Sequence, residues 1–230
     1  MWNLVYNAVK LIQGGNTMPT LHIMKHATKR QNLFLRVAMG HFATNNRHSN
    51  YYIDVVTQKS RMSEARAVAE ELCSYYYADT VVDTILCLDG TEVIGACLAD
   101  SLSKADFVNM NAHKSIYVVT PEIIGGGQFI FRDNIVPMIA GKHVMILGVS
   151  ISSGKTAEAA IDAVKYYGGI VTGVSAIFST EEECGGFPVR SVFNPNDLEE
   201  YQSYPSHECP LCKAGVKLDA LINSHGFSKL

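Results

Sequence analysis

The order of apolar and polar positions divides the chain into short segments whose period changes repeatedly. Lys29 to Ala38 has helical spacing through Leu33, Phe34 and Val37, and Gly40 is predicted to end that helix. Tyr51 to Val56 alternates as an edge strand does, and Ser63 with Arg66 opens a helix through Ala67, Val68, Ala69 and Leu72 toward Tyr76. Val81 to Leu88 reads as a strand, Val93 to Leu102 as a helix, and Ile116 to Val119 as a short buried strand broken by Pro121. A glycine-rich stretch from Gly125 to Gly127 follows, with no periodicity until Val144. Val144 to Leu147 is apolar, Gly148 to Thr156 is small and polar, and helical spacing returns with Ala160, Ile161 and Val164. Ile170 to Phe178 and Val189 to Phe193 complete the pattern as strands.

Strands alternating with helices in units of about 30 residues predict an α/β fold with a mainly parallel sheet and right-handed crossovers. Such sheets bind ligands at the carboxyl ends of their strands. Two turns stand there, "LDGTEVIG" from Leu88 and "LGVSISSGKT" from Leu147. The turn from Leu147 is close to a nucleotide-binding P-loop, but five residues separate Gly148 from Gly154 where a P-loop has four. That extra residue changes which backbone amides converge, and it leaves a P-loop kinase as a distant alternative. The loop chemistry still suits an anion. Ser152, Ser153 and Thr156 offer hydroxyls, Gly154 lets amides point inward, Lys155 adds charge, and a helix begins behind them. A plain Ser/Thr helix cap is the alternative without a ligand.

An apolar strand, a small hydroxyl-rich turn and a helix, in the form "VMIL GVSISSGKT", resemble the signature of the type I phosphoribosyltransferases. More of the chain resembles the orotate phosphoribosyltransferase branch. "GHFATNNRHSNYYID" from Gly40 to Asp54 is similar to the segment beside the base and the phosphoribosyl group, and "LDGTEVIGACLA" to the pyrophosphate-binding turn. "ECPLCKAG" resembles a C-terminal element of some members. The resemblance covers roughly Lys29 to Gly215. It implies a type I phosphoribosyltransferase-like sheet with helices on both faces and a small hood made from the N-terminal segment and the chain after Phe193. It also implies a homodimer, Mg2+ if the protein is catalytic, and a phosphoribosyl ligand. By position it assigns the 5-phosphate to Ser152, Ser153, Gly154, Lys155 and Thr156, the pyrophosphate turn to Gly90, Thr91 and Gly95, and the base or ribose side to His48, Tyr51 and Tyr52.

The departures from that pattern bear on chemistry. Gly148 and Val149 stand where the family has an acidic pair, and neither can stabilise a developing ribosyl cation. "TPEIIGGGQF" stands where the orotate branch has a mobile loop of Arg and Lys, and Ile94 where its pyrophosphate turn has Lys or Gly. No catalytic residue is assignable. The expectation is a retained phosphate pocket with weak or lost transfer, or a non-catalytic nucleotide or sugar-phosphate sensor.

At 230 residues and 47% hydrophobic content, the chain is long enough for one full core with small appendages. The expected divisions are an N-terminal extension over 1–28, a phosphoribosyltransferase-like domain over 29–205, and a C-terminal appendage over 206–230. Six basic and no acidic residues precede Asp54, so a basic lip over an anionic ligand is one reading of that segment and a solvated face the other. The net charge of −3 and the lack of interleaved basic and aromatic residues argue against nucleic acid. No apolar run reaches the ~20 residues of a membrane span.

Gln13, Gly14 and Gly15 are compatible with a ribosome-binding string before Met18, so residues 1–17 are expected to be non-native, with a helix carrying Trp2, Leu4, Val5, Val9 and Ile12 as the alternative. On that view the terminal Ser228, Lys229 and Leu230 match a peroxisomal address by coincidence. Six scattered cysteines, four of them (Cys73, Cys87, Cys97 and Cys184) in or beside apolar segments, predict a reducing cytoplasm. Cys209 and Cys212 form one Cys-x-x-Cys, which with His207 and His225 could bind zinc; lacking a second such pair, a reduced structural dithiol is the favoured expectation.

Overall fold

The computed structural model describes residues 21–27, 33–104 and 108–230. The expectations about residues 1–17, the Met18 start and the beginning of the first helix lie outside them. The described residues form two compact units, one from those up to Val55 together with Leu198–Leu230, the other from those within Val56–Asp197. Residues 34–54 pair with the C-terminal strands rather than with the parallel sheet.

The first unit begins with β1 (Met24–Ala27), β2 (Phe34–Ala43) and β3 (Arg47–Asp54). The helix predicted through Leu33, Phe34 and Val37 is therefore a strand. The period is two rather than 3.6: Leu35 and Val37 are buried while Phe34 is exposed. Nor is β3 an edge strand, since β2 pairs with it on one side and a C-terminal strand on the other. Ser49 to Tyr52 are buried without alternation.

The second unit follows the expected alternation: α1 (Val56–Ser60), α2 (Met62–Cys73), β4 (Thr84–Cys87), α3 (Glu92–Ser103) and β5 (Tyr117–Val119). The Gly-rich stretch without periodicity is a two-stranded hairpin, β6 (Glu122–Ile124) and β7 (Gln128–Ile130), turned through Gly126 and Gly127 at positive φ. Then come β8 (His143–Ile151), α4 (Lys155–Tyr166), β9 (Ile170–Ser179), β10 (Glu183–Cys184) and β11 (Phe187–Phe193). The sheet order is β10-β11-β9-β8-β4-β5, parallel except for β10. The C-terminal segment supplies β12 (Ser203–Pro205), the single turn α5 (Pro210–Lys213), β13 (Ala220–Asn223) and β14 (Gly226–Lys229) to the first unit's sheet.

Alternation along the strands explains why helices cover both faces of the parallel sheet. Leu86, Val144, Ile146, Val174 and Ala176 project to one side, where they form a core with Ala157, Ala160, Ile161 and Val164 of α4. Ile85 and Cys87 project to the other, against Gly95 of α3. A Cβ at Gly95 would collide with the Cys87 sulfur and stand 3.1 Å from Cγ1 of Val118. Gly95→Ala is therefore expected to cost about 1–3 kcal/mol through overpacking. The readout is a lower denaturant midpoint at unchanged slope; an unchanged midpoint would show that the helix can lift off the strand freely.

Candidate functional site

The carboxyl ends of β4 and β8 open onto a small cleft whose lining includes Leu88, Asp89, Gly148, Ser150, Thr156 and Ala157. Both turns singled out in the sequence meet there. β8 runs on to Ile151, beyond the apolar run that marked it, because Gly148, Ser150 and Ile151 stay in register with β9. The hydroxyl-rich loop is thus only Ser152 to Gly154. Gly154 is the residue that precedes α4, with φ 73, a left-handed conformation that favours glycine. Having no side chain, it cannot cap the helix as Ser or Thr would, and the first-turn amides lack that intrinsic acceptor. Thr156 and Lys155 are exposed, and Ser152 and Ser153 half-buried. Thr180 holds the loop from below, donating through its backbone N–H to the Ile151 carbonyl at 2.9 Å and through its hydroxyl to that of Ser152 at 3.2 Å.

The other turn is held by several contacts. Asp89 has φ 56 and Gly90 φ 82, so two successive residues adopt left-handed conformations. Lys59, at the end of α1, donates its ammonium to the Asp89 carbonyl at 2.7 Å. Burial lowers the Lys59 pKa from its ordinary value, against the opposing influence of Asp89 and Glu92. Sequence reasoning missed this lysine because the contact spans 30 positions and nothing local marks it. Thr91 is fully buried, its hydroxyl directed to the Leu88 and Leu147 carbonyls at 2.9 and 3.0 Å. Its side chain ties β4 to β8, and Gly95 serves helix packing, so of the three residues assigned to this turn only Gly90 is exposed.

Gly148 faces the cleft, and a Cβ there would meet nothing nearer than the Ser175 carbonyl at 3.9 Å. Val149 points to the opposite side of β8 and is buried. The carboxylate that does line the cleft is Asp89. Glu122 is engaged elsewhere, in a two-pronged ion pair with Arg132 at 2.7 Å for each contact.

In the first unit the residues assigned to the base or ribose have internal partners instead. Tyr51 is buried, donates its hydroxyl to the Glu199 carbonyl at 2.9 Å and stacks on Tyr201. Tyr52 packs between Phe42 and Phe227, and burial followed by the charge of Asp54 pushes its phenol up to about 12. His48 turns toward His41, Cys209 and Cys212, and the ligand atoms of these four side chains all lie within 4.8 Å of one another. His207 and His225 are outside this group: His207 meets Glu208 at 3.3 Å, and the His225 backbone N–H donates to the Asn223 side chain. Burial first, then the neighbouring His41, lower the His48 pKa.

No family model matches the chain. It is 24% identical over 191 residues to an orotate phosphoribosyltransferase of Chlorobium phaeobacteroides, covering 79% of this chain and 86% of that protein. The structure of a Leishmania donovani UMP synthase superposes with a TM-score of 0.52 over 70% of this chain at 17% identity, and the match takes in 34% of that longer protein. Among the described residues no helix is long and apolar enough to cross a membrane. Parallel sheet, paired turns at its carboxyl edge and sequence similarity over 191 residues agree: the chain has the type I phosphoribosyltransferase fold and is similar in sequence to an orotate phosphoribosyltransferase.

Proposed function

We propose that Ser152 to Thr156 hold the 5-phosphate of a phosphoribosyl ligand, either phosphoribosyl pyrophosphate or a nucleoside monophosphate, and that transfer to a pyrimidine-like base is weak or lost. The observation that carries this reading is the combination at the end of β8. A left-handed Gly154 leaves the first amides of α4 for an external acceptor, while Gly148 leaves the cleft wall without a carboxylate beneath the ribose position. Hydroxyls, amides and the positive end of a helix are a complete chemical set for a phosphate dianion. They do nothing for a cation forming at the anomeric carbon. In its fully non-catalytic form the protein is a nucleotide or sugar-phosphate sensor.

Mg2+ belongs to this proposal only through the ligand. It commonly binds by one or two carboxylates together with substrate phosphates. Asp89 supplies one carboxylate at the cleft, which fits that pattern once a pyrophosphate is present. When bound, the ion would neutralise leaving-group charge. Asp89 would hold it, and Lys59 would keep the Asp89 turn in its left-handed form. Two chains paired as a homodimer, working in the cytoplasm in pyrimidine nucleotide metabolism, complete the proposal.

Calorimetric titration with phosphoribosyl pyrophosphate, nucleoside monophosphates and the matching unphosphorylated nucleosides tests it. Binding of the phosphorylated forms, with the nucleosides at least tenfold weaker, is expected because charge-assisted hydrogen bonds contribute about 1.5–3 kcal/mol each. Equal affinity for nucleoside and nucleotide would remove the phosphate site.

A further inference from the structure

We propose that His41, His48, Cys209 and Cys212 form a closed, four-coordinate zinc site that ties the N-terminal hairpin to the C-terminal segment within the first unit. His41 Nε2 stands 3.2 Å from His48 Nδ1, 3.4 Å from Cys209 Sγ and 3.7 Å from Cys212 Sγ, and Cys212 Sγ is 3.2 Å from His48 Nδ1. A tetrahedron with zinc–sulfur bonds of about 2.3 Å and zinc–nitrogen bonds of about 2.0–2.1 Å has edges of about 3.3–3.8 Å. Four of the six edges fall at or within a tenth of an ångström of that range, and all six are within 4.8 Å. Two thiolates and two imidazoles make a ligand set characteristic of structural zinc.

The backbone is arranged to bring these atoms together. Met39 pairs with Tyr51 but Phe42 pairs with Ser49, so Gly40 and His41 together oppose Asn50 in a β-bulge. One extra residue inverts the side-chain parity of β2. His41 thereby faces the same side as His48, whose partner across the hairpin is Ala43. The bulge takes the His41 backbone out of the ladder, and Asp219 replaces the lost partners. His41 N–H donates to its carboxylate at 2.8 Å, and the Asp219 N–H donates to the His41 carbonyl at 2.8 Å. On the C-terminal side Lys213 N–H closes on the Cys209 carbonyl at 3.2 Å and Gly215 N–H on that of Cys212 at 3.0 Å, forming a tight knuckle.

Proton accounting favours a metal over a bare dithiol. His41 Nδ1 lies 2.9 Å from the Val216 carbonyl, which can only accept, so that nitrogen carries the ring proton and Nε2 presents a lone pair. A second imidazole nitrogen faces this lone pair at 3.2 Å, and His41 is completely buried. A cation at the centre satisfies both nitrogens and both sulfurs at once. The ligands come from positions more than 160 residues apart, so the ion would act as a cross-link.

The test starts with the full chain purified under reducing conditions and measured for metal by mass spectrometry, followed by cobalt(II) titration of chelator-treated protein. One zinc per chain and a cobalt spectrum with tetrahedral d–d bands and thiolate charge-transfer bands, bleached by zinc, are expected. Cys212→Ser, at the exposed ligand, should lose stoichiometric cobalt binding, and His41→Ala and His48→Ala should do the same; His207→Ala and His225→Ala should keep it. Because a buried-ligand variant can unfold, hydrogen exchange of the wild type with and without zinc gives an independent readout. Zinc removal should expose amides of 34–54 and 203–216 while leaving 143–179 protected. Reduced wild-type protein that binds neither zinc nor cobalt, a cobalt spectrum without thiolate bands, or undiminished binding in His41→Ala/His48→Ala would overturn the assignment.

Discussion

Orotate phosphoribosyltransferase turnover by this protein is expected to lie at least ~10²-fold below that of a competent enzyme, the usual consequence of losing one preorganised stabilising group. The reaction separates charge: positive charge grows on the ribose as pyrophosphate departs, and the cleft answers neither demand well. Gly148 is open to the cavity where a carboxylate would help, and Val149 faces into the core. The hairpin formed by β6 and β7 carries no lysine, and Arg132 behind it is paired with Glu122. Lys59 lies beside the 88–95 turn, but its ammonium already donates to the Asp89 carbonyl. Gly148→Asp is sterically permitted, since the new Cβ has 3.9 Å of clearance, whereas Val149→Asp would bury a charge. Neither substitution is expected to restore turnover, because cover for the leaving group is still missing. A coupled assay with orotate and phosphoribosyl pyrophosphate decides the matter. Wild-type turnover close to that of a competent enzyme would mean that another group supplies the missing charge.

The parallel sheet was legible because its strands are short apolar runs separated by helices with clear spacing, and both turns at its edge follow from that alternation. β2 was not. Leu33, Phe34 and Val37 fit a helical template as well as a strand, and only the pairing with β3, which no local pattern encodes, decides for period two. The same error concealed the metal-ligand cluster. With β2 read as a helix ending at Gly40, His41 and His48 were not two positions on one face of a hairpin, and the bulge that brings them to one side is a property of register. The cysteines were visible as a pair, but their nearest histidines in sequence, His207 and His225, lie outside the cluster that contains the distant ones. Tyr51 and Tyr52 were placed at a ligand by resemblance; both are buried, Tyr51 against the Glu199 carbonyl and Tyr201, and Tyr52 against Phe42 and Phe227. Residues that act through the carboxyl edge of a sheet can be read in order along the chain; those that depend on two distant segments meeting cannot.

The hydroxyl loop offers a pair of substitutions that separate ligand binding from folding. Thr156 is exposed in the first turn of α4 and lines the cleft, so Thr156→Val removes one hydroxyl without disturbing the core. Loss of a hydrogen bond to a charged phosphate, about 1.5–3 kcal/mol, corresponds to roughly 10- to 100-fold weaker binding of a 5-phosphorylated ribose, with the thermal midpoint unchanged. Gly154→Leu should act on both quantities. Its φ of 73 is costly for a residue with a Cβ, by about 1–2 kcal/mol, and that Cβ would stand 3.3 Å from the Cys184 sulfur. Adjusting φ to relieve this strain would redirect the amides of the proposed anion site. The Leu variant is therefore expected to lose phosphate binding entirely and to melt at a lower temperature, while the Val variant loses affinity alone. Calorimetry and thermal denaturation on the same preparations read both effects. Unchanged affinity in both variants would place the phosphate site outside this loop, and a stability loss in Thr156→Val would show that its hydroxyl supports the helix rather than a ligand.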